Sequence, residues 1–379
     1  MSLSADNLFS RIPNYIHRRC FRMMDRMREK KYQKKILIIE SDDWGSIRTS
    51  SADALKILQK EGYDFSSAVY SYDALETEED LELLFDVLGR HGDKLGRHPS
   101  FVANYCVANP DFKAIKESGF RRYSYEPVSR TWLNAVGSKN CRELVLAGRK
   151  REFFYPELHG REHVHVRKWM NALIQGNRSA IQTFDLEMCG LEFRVIRDFD
   201  SCFYSEHMNH ILSIEDRSNM IDDAISIFQS VFGNKPESYI APNYVWDFDT
   251  EKILKRNGID VIQAAKVSRI DTAKHLNRYL HVGARNAIGQ KYSIRNCFFE
   301  PASLKYPELA ACKCIREIDL SFDRHVPAVV CSHRLNYSGR IKPELRDRNL
   351  KALDEVLSET CKRHPDVEFL SPQEYYELL

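Results

Sequence analysis

No stretch of this chain approaches the roughly 18 consecutive apolar residues of a membrane-spanning helix, so none is predicted. Nor does the N-terminus carry the apolar core of a secretory signal, and the expected location is the cytoplasm. Cysteine spacing is equally informative. The ten cysteines contain no CxxC, and Cys312-Lys313-Cys314 is the sole close pair. That excludes a zinc-finger pattern and points to free, buried thiols in a reducing compartment. Charge of one sign is not in excess: 56 Lys and Arg face 54 Asp and Glu, so no global field calls for nucleic acid. Low-complexity linkers and repeats of solenoid period are also missing. The 379 residues are therefore read as one large core.

Two regions stand apart from that core. Residues 11–35 carry ten Lys and Arg against Asp25 and Glu29, with Phe21, Met24 and Met27 at helical spacing. Residues 1–34 thus read as a basic helical segment packed on the domain, with peripheral contact to an anionic membrane as the sharper alternative. Residues 178–212, rich in aromatics, Met and Cys, break the pattern around them and read as an insertion over the site or at a subunit contact. The remainder, 35–379, alternates short apolar strands with amphipathic helices. Ile36–Ile39 is a buried strand, Ser50 or Ser51 caps a helix closed by Gly62, and Thr77 opens the next. About seven such units follow one another, which argues for a parallel sheet, closed or nearly so. The oligomeric state is not legible.

The chemistry lies at strand ends, where alternating architectures place it. Asp42 and Asp43 directly follow a buried strand, so one carboxylate can bind a metal while the other takes a proton from water. His159 and His163 are four apart, a spacing that puts both imidazoles on one face of a helix and suits zinc-type ions. His165 follows two residues later. A carboxylate with two histidines suits Zn²⁺, and equally Co²⁺, Ni²⁺ or Fe²⁺. His333 ends another strand, where it can protonate a leaving group. The Pro242-Asn243-Tyr244 turn can aim a backbone N–H at a developing oxyanion.

In order and spacing these stretches resemble the polysaccharide deacetylase (NodB-type) superfamily. Ser41-Asp42-Asp43-Trp44-Gly45 stands where that family has a strand ending in Asp-Asp-Gly, with Trp44 inserted. His159 and His163 match its His pair, Ile240–Tyr244 matches part of its Arg-x-Pro-Tyr, and Val329–His333 matches its last strand. The resemblance implies a distorted (β/α)7 barrel. It further implies Asp42 as general base, His333 as general acid, and Asp43, His159 and His163 as ligands of a divalent metal, zinc first. Asn243 or Tyr244 would serve the oxyanion, and Trp44 is expected on the substrate side with them. The implied substrate is an acetylated sugar or glycan precursor, de-N-acetylated or de-O-acetylated.

Two departures qualify this expectation. The family's motif-three arginine, which orients the base, is Ile240 here, and Arg48, Arg161, Arg295 or Arg334 are the candidates to replace it. No match is found for the acidic residue that tunes the acid. Two alternatives therefore stand: a zinc peptidase using His159, Glu162 and His163 in an H-x-x-E-H pattern, and a non-catalytic glycan-binding barrel.

Overall fold

A computed structural model describes residues 27–190, 195, 212–271 and 276–379. Most of the basic N-terminal segment and most of the 178–212 insertion lie outside the described residues; within the insertion, Arg178–Asp185 is a helix.

The apolar runs pair as parallel strands. We label the barrel strands β1 (Lys35–Trp44), β2 (Ser100–Tyr105), β3 (Phe154–Leu158), β4 (Ser238–Ile240), β5 (Val261–Ala265), β6 (Lys291–Arg295), β7 (Cys297–Phe298) and β8 (Ala328–His333). They are hydrogen-bonded in the order β6-β5-β4-β3-β2-β1-β8-β7, all parallel. Only Asn296 separates β6 from β7, so the two form one stave that pairs β5 through its first half and β8 through its second. The ring closes there, helped by Asn296 N–H donating to the Val329 carbonyl at 3.1 Å. The result is the expected seven-stave β/α barrel.

Helices cover the outside and bury their apolar faces against the staves. Ser51 caps Ala52–Lys60, and Thr77 forms a capping box with Asp80 at the start of Glu78–Gly89. The long outer helices are Ile214–Phe232, Pro307–Asp323 and Pro343–Arg363. Boundaries shift where turn residues were read as element. The strand expected at 152–155 lies at Phe154–Leu158, because Arg151 and Glu152 cap the preceding helix, with Glu152 at positive φ. Residues 130–149 are two helices, Val128–Asn134 and Cys141–Lys150, broken around Gly137. The stretch expected to be irregular, 266–293, contains an antiparallel hairpin of Val267–Asp271 and Leu276–Tyr279.

The last helix, Pro372–Leu378, was not anticipated; it closes the N-terminal end of the barrel. Tyr376 Oη donates to Ser238 Oγ at 3.0 Å, and Tyr375 lies against Ser293. Among the described cysteines, six are buried and all are unpaired. No helix among the described residues is long and apolar enough to cross a membrane.

Candidate active site

Strand alternation sends Glu40 and Asp42, two apart on β1, into the barrel. Ser293 and Arg295 on β6 do the same. Arg295 is 1 % exposed and gathers the polar interior around itself. Its two terminal nitrogens donate to both carboxylate oxygens of Asp42, at 2.6 and 2.7 Å, and its Nε donates to Glu40 at 2.7 Å. Gln263 accepts a further bond at 2.9 Å, and Asn104 donates to Asp42 at 2.9 Å. Burial alone would raise the Asp42 carboxyl, but the Arg295 charge and its hydrogen bonds outweigh burial and hold it below the usual range. Asp42 is thus an oriented carboxylate.

Of the four candidate arginines, Arg295 is the one that grips Asp42. Arg161 pairs with Glu162, Arg48 with Asp43 and Asp73, and Arg334 with Asp73 and Glu76. Ile240 serves differently: its backbone carbonyl accepts from His159 Nδ1 at 3.0 Å. That bond leaves Nε2 as the nitrogen available to a metal ion.

Regular alternation would point Asp43 away from Asp42. Instead the β1–β2 register slips between Ser41 and Trp44, and Asp43 has φ 74°, a left-handed backbone that swings its carboxylate to the mouth of the barrel. There Asp43 Oδ1 is 3.5 Å from Nε2 of both His159 and His163. Two ligands about 2.1 Å from a tetrahedral ion stand roughly 3.4 Å apart, which matches both Asp43–histidine separations, and all three donor atoms lie within 4.8 Å of one another. His163 is held near pKa 4 by burial, against the pull of Asp43, which keeps it neutral and able to ligate. Asp43 is held well below its ordinary value: burial would raise it, and Arg48 and the imidazoles override that.

The pair does not sit on a helix. Gly160 has φ 106°, residues 159–163 are irregular, and the helix starts at Val166. His165 caps that helix by accepting from Lys168 N–H and is not part of the three-donor group. Glu162, the base an H-x-x-E-H peptidase needs, is buried with both oxygens on Arg161, at 2.6 and 2.9 Å.

His333 is the register partner of Asp42 on the adjoining strand β8. Its Nδ1 meets Glu300 Oε1 at 2.6 Å. Burial would lower the imidazole, but the Glu300 charge and hydrogen bond raise it well above the ordinary histidine value and favour its protonated form. Glu300 was missed in the sequence; its signal was an acid directly after the expected strand at 294–299. Asn336 holds its other oxygen at 2.9 Å.

The remaining expected residues divide. Asn243 and Tyr244, both at positive φ, line the cleft. The Tyr244 N–H is turned back onto the Ala241 carbonyl at 3.0 Å, and its hydroxyl accepts from Arg295 at 3.1 Å. Trp44 does not reach the substrate side. It is fully buried, donates to Ser41 Oγ at 3.0 Å, and packs on Phe101, Phe154 and Tyr337. Next to the bulge, the strand resumes its pleat and turns residue 44 into the core. Asp42, Asp43, His159, His163 and His333 all line one cleft of about 1030 Å³.

No family model matches the chain, and neither does any curated protein sequence. Solved structures of similar shape include a Mycobacterium smegmatis protein assigned as a polysaccharide deacetylase, at 11 % identity and TM-score 0.40, covering 93 % of this chain and 91 % of that one. A carbohydrate esterase family 4 (CE4) pseudoenzyme from Bacillus anthracis follows at 9 % identity and TM-score 0.37, covering 88 % and 63 %. A Thermotoga maritima α-amylase follows at 7 % identity and TM-score 0.45, covering 92 % and 75 %. At such scores the fold is defined by the strand pairing itself: a seven-stave parallel barrel with an Asp-His-His donor set at its C-terminal mouth.

Proposed function

We propose that this barrel is a metal-dependent hydrolase that removes an acyl group, acetyl in the first instance, from an amino sugar or a related glycan precursor. The observation that carries the proposal is convergence. Asp42 and Asp43 from β1, His159 and His163 from the loop after β3, and the Glu300-paired His333 of β8 meet in one cleft at the C-terminal mouth. Asp43, His159 and His163 would hold the ion, which when bound would acidify a water and polarise the acyl carbonyl.

Asp42, held ionised and fixed in orientation by Arg295 and Asn104, takes a proton from the attacking water. His333, kept protonated by Glu300, gives a proton to the departing amine or alcohol. The two are register partners on neighbouring strands and line the same cleft, so base and acid serve one bound substrate. Tyr244 lies over Arg295, its ring centroid 5.8 Å from the guanidinium. A binding barrel without turnover rested on the missing motif-three arginine, and Arg295 supplies an equivalent grip from another strand.

The test is elemental analysis of purified protein after zinc loading and dialysis. Wild type should retain about one equivalent, and Asp43→Ala and His163→Ala should retain none. Asp42→Asn should keep the metal and lose acetate release from N-acetylated sugars. Wild type that takes up no zinc, cobalt or nickel would sink the hydrolase reading.

A further inference from the structure

The cleft wall carries a charge pattern that deacylation alone does not require. Asp42 and Asp43 are the only carboxylates lining it among the described residues. Both are already matched, Asp42 by Arg295 and Asp43 by Arg48 at 3.2 Å. Three further cations line the same cleft: Arg269, Lys305 and Lys342. None of the three makes an ion pair with a carboxylate among the described residues; Lys305 lies over the Tyr306 ring and Lys342 over the Tyr72 ring. His333 is matched by Glu300 at 2.6 Å, so these three cations leave the cleft lining with a surplus of positive charge. A neutral acylated sugar offers nothing to balance it.

Cavity size points the same way. At about 1030 Å³ the cleft stands at the upper end of small-molecule sites, with room beyond one monosaccharide. Like-signed groups on low-dielectric walls focus the field into a cleft and concentrate ligands of opposite charge. Lysines serve phosphate as point charges, and an arginine adds a planar fork that binds it through two parallel bonds.

We infer that the substrate of this site is an acylated sugar carrying a phosphate or diphosphate ester, with Arg269, Lys305 and Lys342 binding the phosphoryl group while the acyl group reaches Asp42 and His333. This deepens the hydrolase reading and rests on it for the placement of the acyl end. Uncharged glycan chains are correspondingly disfavoured.

Calorimetric titration of the zinc-loaded full chain tests it, with N-acetylglucosamine, its 1-phosphate, UDP-N-acetylglucosamine and inorganic phosphate as probes. Both phosphorylated sugars should bind at least about 10-fold more tightly than the neutral sugar at low salt, and the gap should narrow as salt is added. Whichever of the two binds more tightly distinguishes a monoester from a diphosphate substrate. The triple variant R269M/K305M/K342M, at exposed or half-buried positions, should keep its Tm and lose the preference. Equal affinity for charged and neutral sugars overturns the inference, as does inorganic phosphate binding as tightly as the sugar phosphates. Acetate release from the same samples separates the two readings. Charge preference without acetate release sinks hydrolysis and leaves the anion site. Acetate release with no charge preference does the reverse.

Discussion

Arg295 illustrates how one buried charge can define a site. Its guanidinium is enclosed by Glu40, Asp42, Gln263 and Tyr244, and it reaches Asp42 with two parallel bonds. Removing one partner of such a pair leaves the other buried and uncompensated, at a cost of about 3–5 kcal/mol. Arg295→Met should therefore lower the thermal midpoint and also reduce kcat by about 100-fold or more, since an unguided Asp42 rises toward its protonated form. Arg295→Lys should restore little, because an ammonium cannot span both oxygens. Glu300 acts on the acid side. In the proposed reaction His333 must be protonated to donate, so activity should fall as pH rises through its pKa, which Glu300 holds well above the ordinary value. Glu300→Gln should move that alkaline limb of the kcat profile down toward the ordinary histidine range near 6.5, while leaving metal content unchanged. An unmoved limb would show that another group sets it.

At the scale of the element, the bulge in β1 decides which carboxylate does what. Two adjacent residues in a regular strand face opposite ways; positive φ at Asp43 and at Gly45 bends the chain so that both aspartates face the mouth. Gly45 is required there by space as well as by φ. A Cβ would meet the Cys106 carbonyl at 2.5 Å, while its own N–H donates to Glu76. Gly45→Ala should cost about 2–4 kcal/mol and loosen zinc binding by displacing Asp43. Gly62 also has positive φ, at 95°, but nothing lies within 4 Å of its added Cβ. Gly62→Ala should therefore cost less than Gly45→Ala and leave metal affinity intact. Thermal melts with parallel metal titrations compare the two.

The whole molecule is a barrel with a polar, charged interior, and this makes its stability depend on pH from both sides. Asp42 and Asp43 have lowered folded-state pKa values, so their stabilisation is present above the ordinary carboxylate pKa and is lost as pH falls. Glu157 behaves in the opposite sense. Buried on β3 and accepting the N–H groups of Glu237 and Ser238, it is pushed up by burial to about 8. The folded state then holds a proton that the unfolded state releases near 4.5, so stability declines as pH rises from that value toward 8. Glu157→Gln should flatten this decline, and denaturant melts at pH 5 and pH 8 should differ less in the variant than in wild type. A decline of equal steepness would assign the effect elsewhere.

Periodicity and turn chemistry made the staves, most capped helices and the two Asp and His clusters legible in sequence, because these depend on local patterns of two to four residues. The chain order of those clusters was enough to group them in one site. Three features needed the folded structure. Arg295 and Asp42 are 253 residues apart, and only the closing of the barrel through the β6–β7 stave places one against the other. Asp-Asp does not reveal a bulge, so Trp44 read as a substrate residue although the resumed pleat sends it into the core. His159 and His163 meet without a helix between them, because a turn through the positive-φ Gly160 also brings residues four apart to one point. What the sequence by itself determined is which groups are present and that parallel staves collect them at one end. Which way each points, and which charge neutralises which, was decided by register and backbone sign, and these arise only when distant strands pair.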